Sequence, residues 1–184
     1  MKNKLLQVIV LGFAFALISC GNPPPDQLLA RVVLNANLLY GFAGAGMQRD
    51  FASPSVKLVD EKSGATAPMK RAELLQTKLE TVETNFAKVK ALRSTDDNKE
   101  MLNAALALYE FVLPVYKNEY AQLAKLYDDG APAEQIAAME KSIQEKYGAK
   151  FEELYAAVGA TGKAYAAKHN IPLKEVNPAP PKIN

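Results

Sequence analysis

LNAALALYEFVLPVYKNEYAQLAKLY, residues 102–127, decides the fold. Leu102, Leu106, Tyr109, Leu113, Tyr116, Tyr120, Leu123 and Tyr127 recur at steps of four and three, which line up on one face of an α-helix. Pro114 sits inside this pattern. It lacks an amide donor and crowds the carbonyl of Glu110, a cost of about 3 kcal/mol in an ideal helix. The apolar phase nevertheless runs through it unbroken. The segment therefore predicts one kinked helix and not two domains.

Neighbouring segments carry the same period. Before it, Leu75, Leu79, Val82, Phe86 and Val89 predict a helix over residues 68–93, with Pro68 tolerated in the first turn. After it, Asp128-Asp129-Gly130-Ala131-Pro132 forms a turn. Ile136, Met139, Ile143, Tyr147, Phe151, Leu154, Val158 and Tyr165 then predict a helix over 133–169. Asn170 suits a left-handed C-terminal position, and Pro172 stops continuation. A further helix is expected over 26–48, with Asp26 as N-cap, weakened by Gly41-Phe42-Ala43-Gly44-Ala45-Gly46. Arg31, Asn35 and Asn37 argue against reading 28–47 as a membrane span. Residues 49–66 lack sustained periodicity and read as a long loop with at most a short ordered piece. Short turns make sequential helices antiparallel. The expected fold is all-α: an elongated antiparallel four-helix up-down bundle over residues 26–170, followed by a flexible, proline-rich tail over 171–184.

The N-terminus has a different character. Lys2 and Lys4 form a positive start, Leu5 to Ile18 is mostly apolar, and the small Ser19 precedes Cys20, the sole cysteine. This is the pattern of a secretory signal over residues 1–19, too short for a spanning helix of about 20 residues. Gly21-Asn22-Pro23-Pro24-Pro25 follows, an extended spacer expected to lift the domain off a bilayer. Lys2 and Lys4 also carry the whole formal excess of +2, so the processed chain is balanced. A balanced surface offers no long-range attraction for nucleic acid or anionic lipid.

Leu17-Ile18-Ser19-Cys20 resembles the lipobox of bacterial lipoproteins. The resemblance implies cleavage before Cys20, a diacylglycerol on its thiol and an acyl group, palmitate or similar, on its new amine. Two or three chains give a stable anchor where one binds only reversibly. Residues 20–25 would then be the lipidated cysteine and its tether. Gly21, in place of an aspartate, favours the outer membrane or the cell surface, with the inner membrane left as the alternative.

A second likeness covers most of residues 67–173. LRSTDDNKEMLNAALALYEFV, NEYAQLAKLYDDG, KYGAKFEEL and YAAKHNIPL, closing on Lys168-His169-Asn170-Ile171, are similar to a family of uncharacterised bacterial surface lipoproteins built as helical bundles. The family implies no activity, so no catalytic residue carries over.

Candidate chemistry is sparse. His169 is the sole histidine, no Glu-x-x-His pair occurs, and no serine is placed on a strained turn. We expect no catalytic residue, no metal site and no cofactor beyond the lipid. His169 reads as a helix-terminal residue meeting the dipole. Asp60-Glu61, Asp96-Asp97, Asp128-Asp129 and Glu152-Glu153 read as caps and solvated faces. The glycines at 41–46 lack a Gly-Lys-Ser/Thr ending and read as a close backbone contact with another helix. Tyr109, Tyr116, Tyr120, Tyr127, Tyr147, Tyr155 and Tyr165 suit the rim of a narrow core. The leading expectation is a non-enzymatic, membrane-anchored module that meets another envelope protein. The alternative is a binder of a small apolar ligand between helices near Pro114.

Overall fold

The computed structural model describes residues 21–53 and 55–173. Cys20, the signal segment and most of the tail lie outside the described residues. The described chain is mostly helical. Helix α1 covers Pro25–Val32. A 3-10 turn covers Leu34–Leu39, and α2 covers Ala45–Ala52. Strands β1 (Val56–Asp60) and β2 (Ala65–Pro68) form an antiparallel hairpin. Helices α3 (Arg71–Lys90), α4 (Lys99–Val115), α5 (Ala121–Asp128) and α6 (Ala133–Lys168) follow, with a π turn over Tyr116–Tyr120 between α4 and α5.

The expected helix over 26–48 is corrected. Leu28, Leu29 and Val32 bury one face of α1, but the chain then tightens, and Ala36 and Leu39 bury at the three-residue period of a 3-10 helix. Asn35 and Asn37 favour this, because their side chains compete with helical backbone bonds. Gly41 adopts a left-handed φ of 73°, and a Cβ on Gly46 would lie 2.9 Å from its carbonyl oxygen. The glycines thus fold the chain back on itself instead of packing it against another helix. No described helix is long and apolar enough to cross a membrane.

The loop expectation over 49–66 is also corrected. Helix α2 continues to Ala52, and the hairpin pairs Val56 with Pro68 and Leu58 with Thr66. The Asp60 carboxylate closes the turn by accepting from the Lys62 amide at 2.9 Å and the Ser63 hydroxyl at 2.7 Å, and Gly64 supplies the positive φ. Ser63 foremost holds the Asp60 carboxyl below its ordinary range.

The long helices follow the periodicity. Leu75, Val82 and Val89 are the buried spine of α3. Along α4, Leu102, Leu108, Tyr109 and Val112 are buried, and the burial continues through Tyr116, Tyr120 and Leu123. Pro114 does not end the helix. The backbone runs on through the π turn, and the Asn118 side chain donates through Nδ2 to the Pro114 carbonyl at 2.9 Å. Helix α6 has 36 residues and is about 54 Å long. It packs most extensively against α4, while α3 packs against α4 and α5, and α1 touches α3, α4 and α6. At the α1–α6 crossing, Val33 fills the space over Gly162, where a Cβ would come within 2.7 Å of its methyl. Asn170 takes the expected left-handed φ, at 54°.

Phe42, delivered by the glycine turn, is the hub of the core. Its ring lies 5.0 Å from Tyr116, 5.6 Å from Tyr120 and 5.1 Å from Phe151 between centroids. The Tyr120 hydroxyl donates to the Phe42 carbonyl, satisfying an acceptor that the turn would leave bare.

Candidate functional site

One end of the molecule collects the chain entry, the end of α3, the start of α4 and the end of α6. Asn22 fixes the entry. Its side-chain amide donates to the Arg93 carbonyl at 2.6 Å, and the Arg93 amide donates to its side-chain oxygen at 2.8 Å. The Arg93 carbonyl also accepts from the buried Asn98 at 3.1 Å, and Asn98 accepts from the Thr95 amide at 2.9 Å. A bidentate amide clasp of this kind mimics a strand pair and fixes register. Within the tether expected over 20–25, the chain is held at Asn22, and Pro25 already begins α1. Only Gly21 separates Asn22 from Cys20 in the sequence, a reach of about 7 Å at most.

Beside the clasp, Asp97 joins α4 to α6. Its carboxylate meets the Lys168 ammonium at 2.5 Å and His169 Nε2 at 2.9 Å. Lys168 first, then His169, hold the Asp97 carboxyl below its ordinary range. The His169 ring packs on Tyr165, with centroids 4.3 Å apart. The sole histidine is thus a clasp between helices as well as a helix-terminal residue. Among the described residues no group of three His, Cys, Asp or Glu could hold a metal ion.

The far end differs. Asp128, at the end of α5, caps α3 from 57 residues away by accepting from the Arg71 amide at 2.8 Å; its second oxygen accepts from Ala72 at 3.0 Å. The Arg71 guanidinium donates to the Phe51 carbonyl at 2.9 Å. From this end the hairpin projects, with Val56, Leu58 and Val59 each more than half exposed.

Tyr127, Tyr147 and Tyr155 are half-buried, as a rim requires, but others lie deeper. Tyr109, Tyr116 and Tyr120 are fully buried; burial pushes the Tyr109 phenol up to about 12 and those of Tyr116 and Tyr120 higher still. Tyr127 donates to Glu140 at 2.7 Å, Tyr147 to Glu119, and Tyr155 to Asn37 at 3.0 Å. Near Pro114, rings fill the core. A groove beside Tyr116, between α3 and α5, holds about 270 Å³ and opens to the surface.

The sequence indicated that Asp97, Asp128 and His169 belong to helix ends. It did not bring Asp97 to His169 or Asp128 to α3, because those pairings exist only once the helices pack. Asn22 was missed as a fixed point; an asparagine ahead of a proline run was its one available signal. No family model, curated protein or solved structure matches the chain.

Proposed function

We propose that the chain is a lipid-anchored lipoprotein of the bacterial envelope, held by a diacylglycerol on Cys20 and acting as a non-enzymatic interaction module. The helices form an antiparallel up-down bundle in which the broken segment over 25–52 takes the fourth place. The observation that carries the reading is the Asn22–Arg93 clasp. It ties a residue two positions from the anchor to one end of α3, while the apolar hairpin leaves the other end, about 30 Å away along a helix of 20 residues. An anchor at one end leaves an apolar surface at the other, where an envelope partner meets it. The ring-filled core near Pro114 gives the apolar-ligand alternative little room, since such pockets run to about 300 Å³ or more and are largely enclosed.

Crosslinking in intact cells tests this reading. A photoreactive residue at Leu58 should capture one defined envelope protein, and Cys20→Ala should abolish the capture. Equal capture from both forms would remove the anchor from the function. Capture of abundant bystanders alone would remove the partner.

A further inference from the structure

The clasp end carries an open recess of about 380 Å³ beside Asn22. Arg31 from α1, Lys88 from α3 and Arg93 just beyond it line this recess, and no carboxylate does. None of these three cations forms an ion pair among the described residues. Three acids of the adjoining elements are engaged elsewhere: Glu83 with Lys117 at 2.6 Å, Asp96 with Lys99 at 3.0 Å, and Asp97 with Lys168 and His169. Asp26 is exposed in the first turn of α1 and lies outside the lining. The balanced net charge of the processed chain therefore hides a local positive patch. It is also the patch closest along the chain to Cys20.

We propose that this recess is a headgroup site that takes the phosphate of an anionic phospholipid and seats the clasp end of the bundle on the bilayer. The inference rests on Cys20 as the point of attachment. Three unpaired cations around a concave surface match a phosphate diester with one formal charge and several acceptor oxygens. Each such cation near an anionic surface contributes roughly fivefold in association. The recess supplies the second signal that supports a lipid anchor. Seating this end points the hairpin away from the membrane.

The test uses the chain from Cys20 onward. Among the described residues the buried core runs from Leu28 to Ala166, all of it retained in this chain. The Cys20 thiol is coupled to a maleimide-bearing phospholipid, which makes the outcome independent of whether cells acylate it. The protein contains no tryptophan, so single probes are clean. Ala91→Trp reports on the recess and Ser63→Trp on the hairpin. Vesicles of phosphatidylcholine, with or without phosphatidylglycerol, carry a headgroup nitroxide quencher.

In anionic vesicles, quenching should be strong at position 91 and weak at position 63. It should fall at position 91 in neutral vesicles. Arg31→Gln, Lys88→Gln and Arg93→Gln together should lower the equilibrium constant for seating by about a hundredfold. Equal quenching at both positions, or no dependence on headgroup charge, would overturn the assignment. Release by inorganic phosphate at constant ionic strength, without headgroup dependence, would make the recess a soluble-phosphate site and would overturn the membrane assignment too.

Discussion

Two buried tyrosines on one helical face should respond oppositely to the same substitution. Tyr120→Phe removes the donor to the Phe42 carbonyl and leaves a buried acceptor unpaired, a loss of about 1–3 kcal/mol in chemical denaturation. Tyr109 has a buried hydroxyl with no partner among the described residues, so Tyr109→Phe should be neutral or stabilising. The same burial sets an alkaline limit. These phenols have folded pKa values above the unfolded value of 10.0, so their contribution is complete below that value and is lost as pH rises through the raised ones. Their ultraviolet titration should coincide with unfolding. Asp97 sets the acid side. Its depressed carboxyl stabilises the fold above its ordinary 3.8 and ceases to do so as pH falls through the lower folded value; Asp97→Asn should flatten that limb of the stability curve. At Gly162, Ala should cost about 1–3 kcal/mol through overpacking on Val33, and Val33→Ala should restore part of it. Little of this was legible in the sequence. A tyrosine at a helical step reads the same whether its hydroxyl finds a carbonyl, a carboxylate or nothing.

Among the elements, α3, α4 and α6 were legible because long amphipathic periods outweigh local irregularity. Pro114 illustrates this: eight aligned apolar positions held the phase, and a π turn took up the backbone mismatch. The N-terminal segment was less legible, because a 3-10 turn buries at three-residue steps that resemble a helical stripe over so short a span. The hairpin was missed because its strands alternate with no buried face: all of Val56–Asp60 is exposed. That exposure predicts independence from the core. Leu58→Lys should change stability by no more than about 0.5 kcal/mol while abolishing capture through a photoreactive residue placed at the exposed Val59. Asp128→Ala should cost about 1–2 kcal/mol, since it strips a cap from the first turn of α3.

For the whole molecule, the two ends differ in surface chemistry. One gathers the chain entry, the Asp97 clasp and a basic recess without an ion pair among the described residues; the other shows apolar strand surface. Asn22→Ala should free the entry segment with little loss of global stability. Backbone amides around Arg93 should then exchange faster with solvent, while those of the α3 interior stay protected. The proposed anchor rests on the sequence of residues outside the described chain, and the grip of Asn22 on Arg93 was not legible within the expected tether. Proline composition predicts extension but not whether a neighbouring side chain grips the fold. The most direct measurement is the intact mass of the N-terminal peptide of the protein isolated from envelope membranes. The account predicts a peptide beginning at Cys20 and carrying a diacylglycerol with an amide-linked acyl chain. A peptide with a free Cys20 thiol, or one that retains residues 1–19, would contradict it.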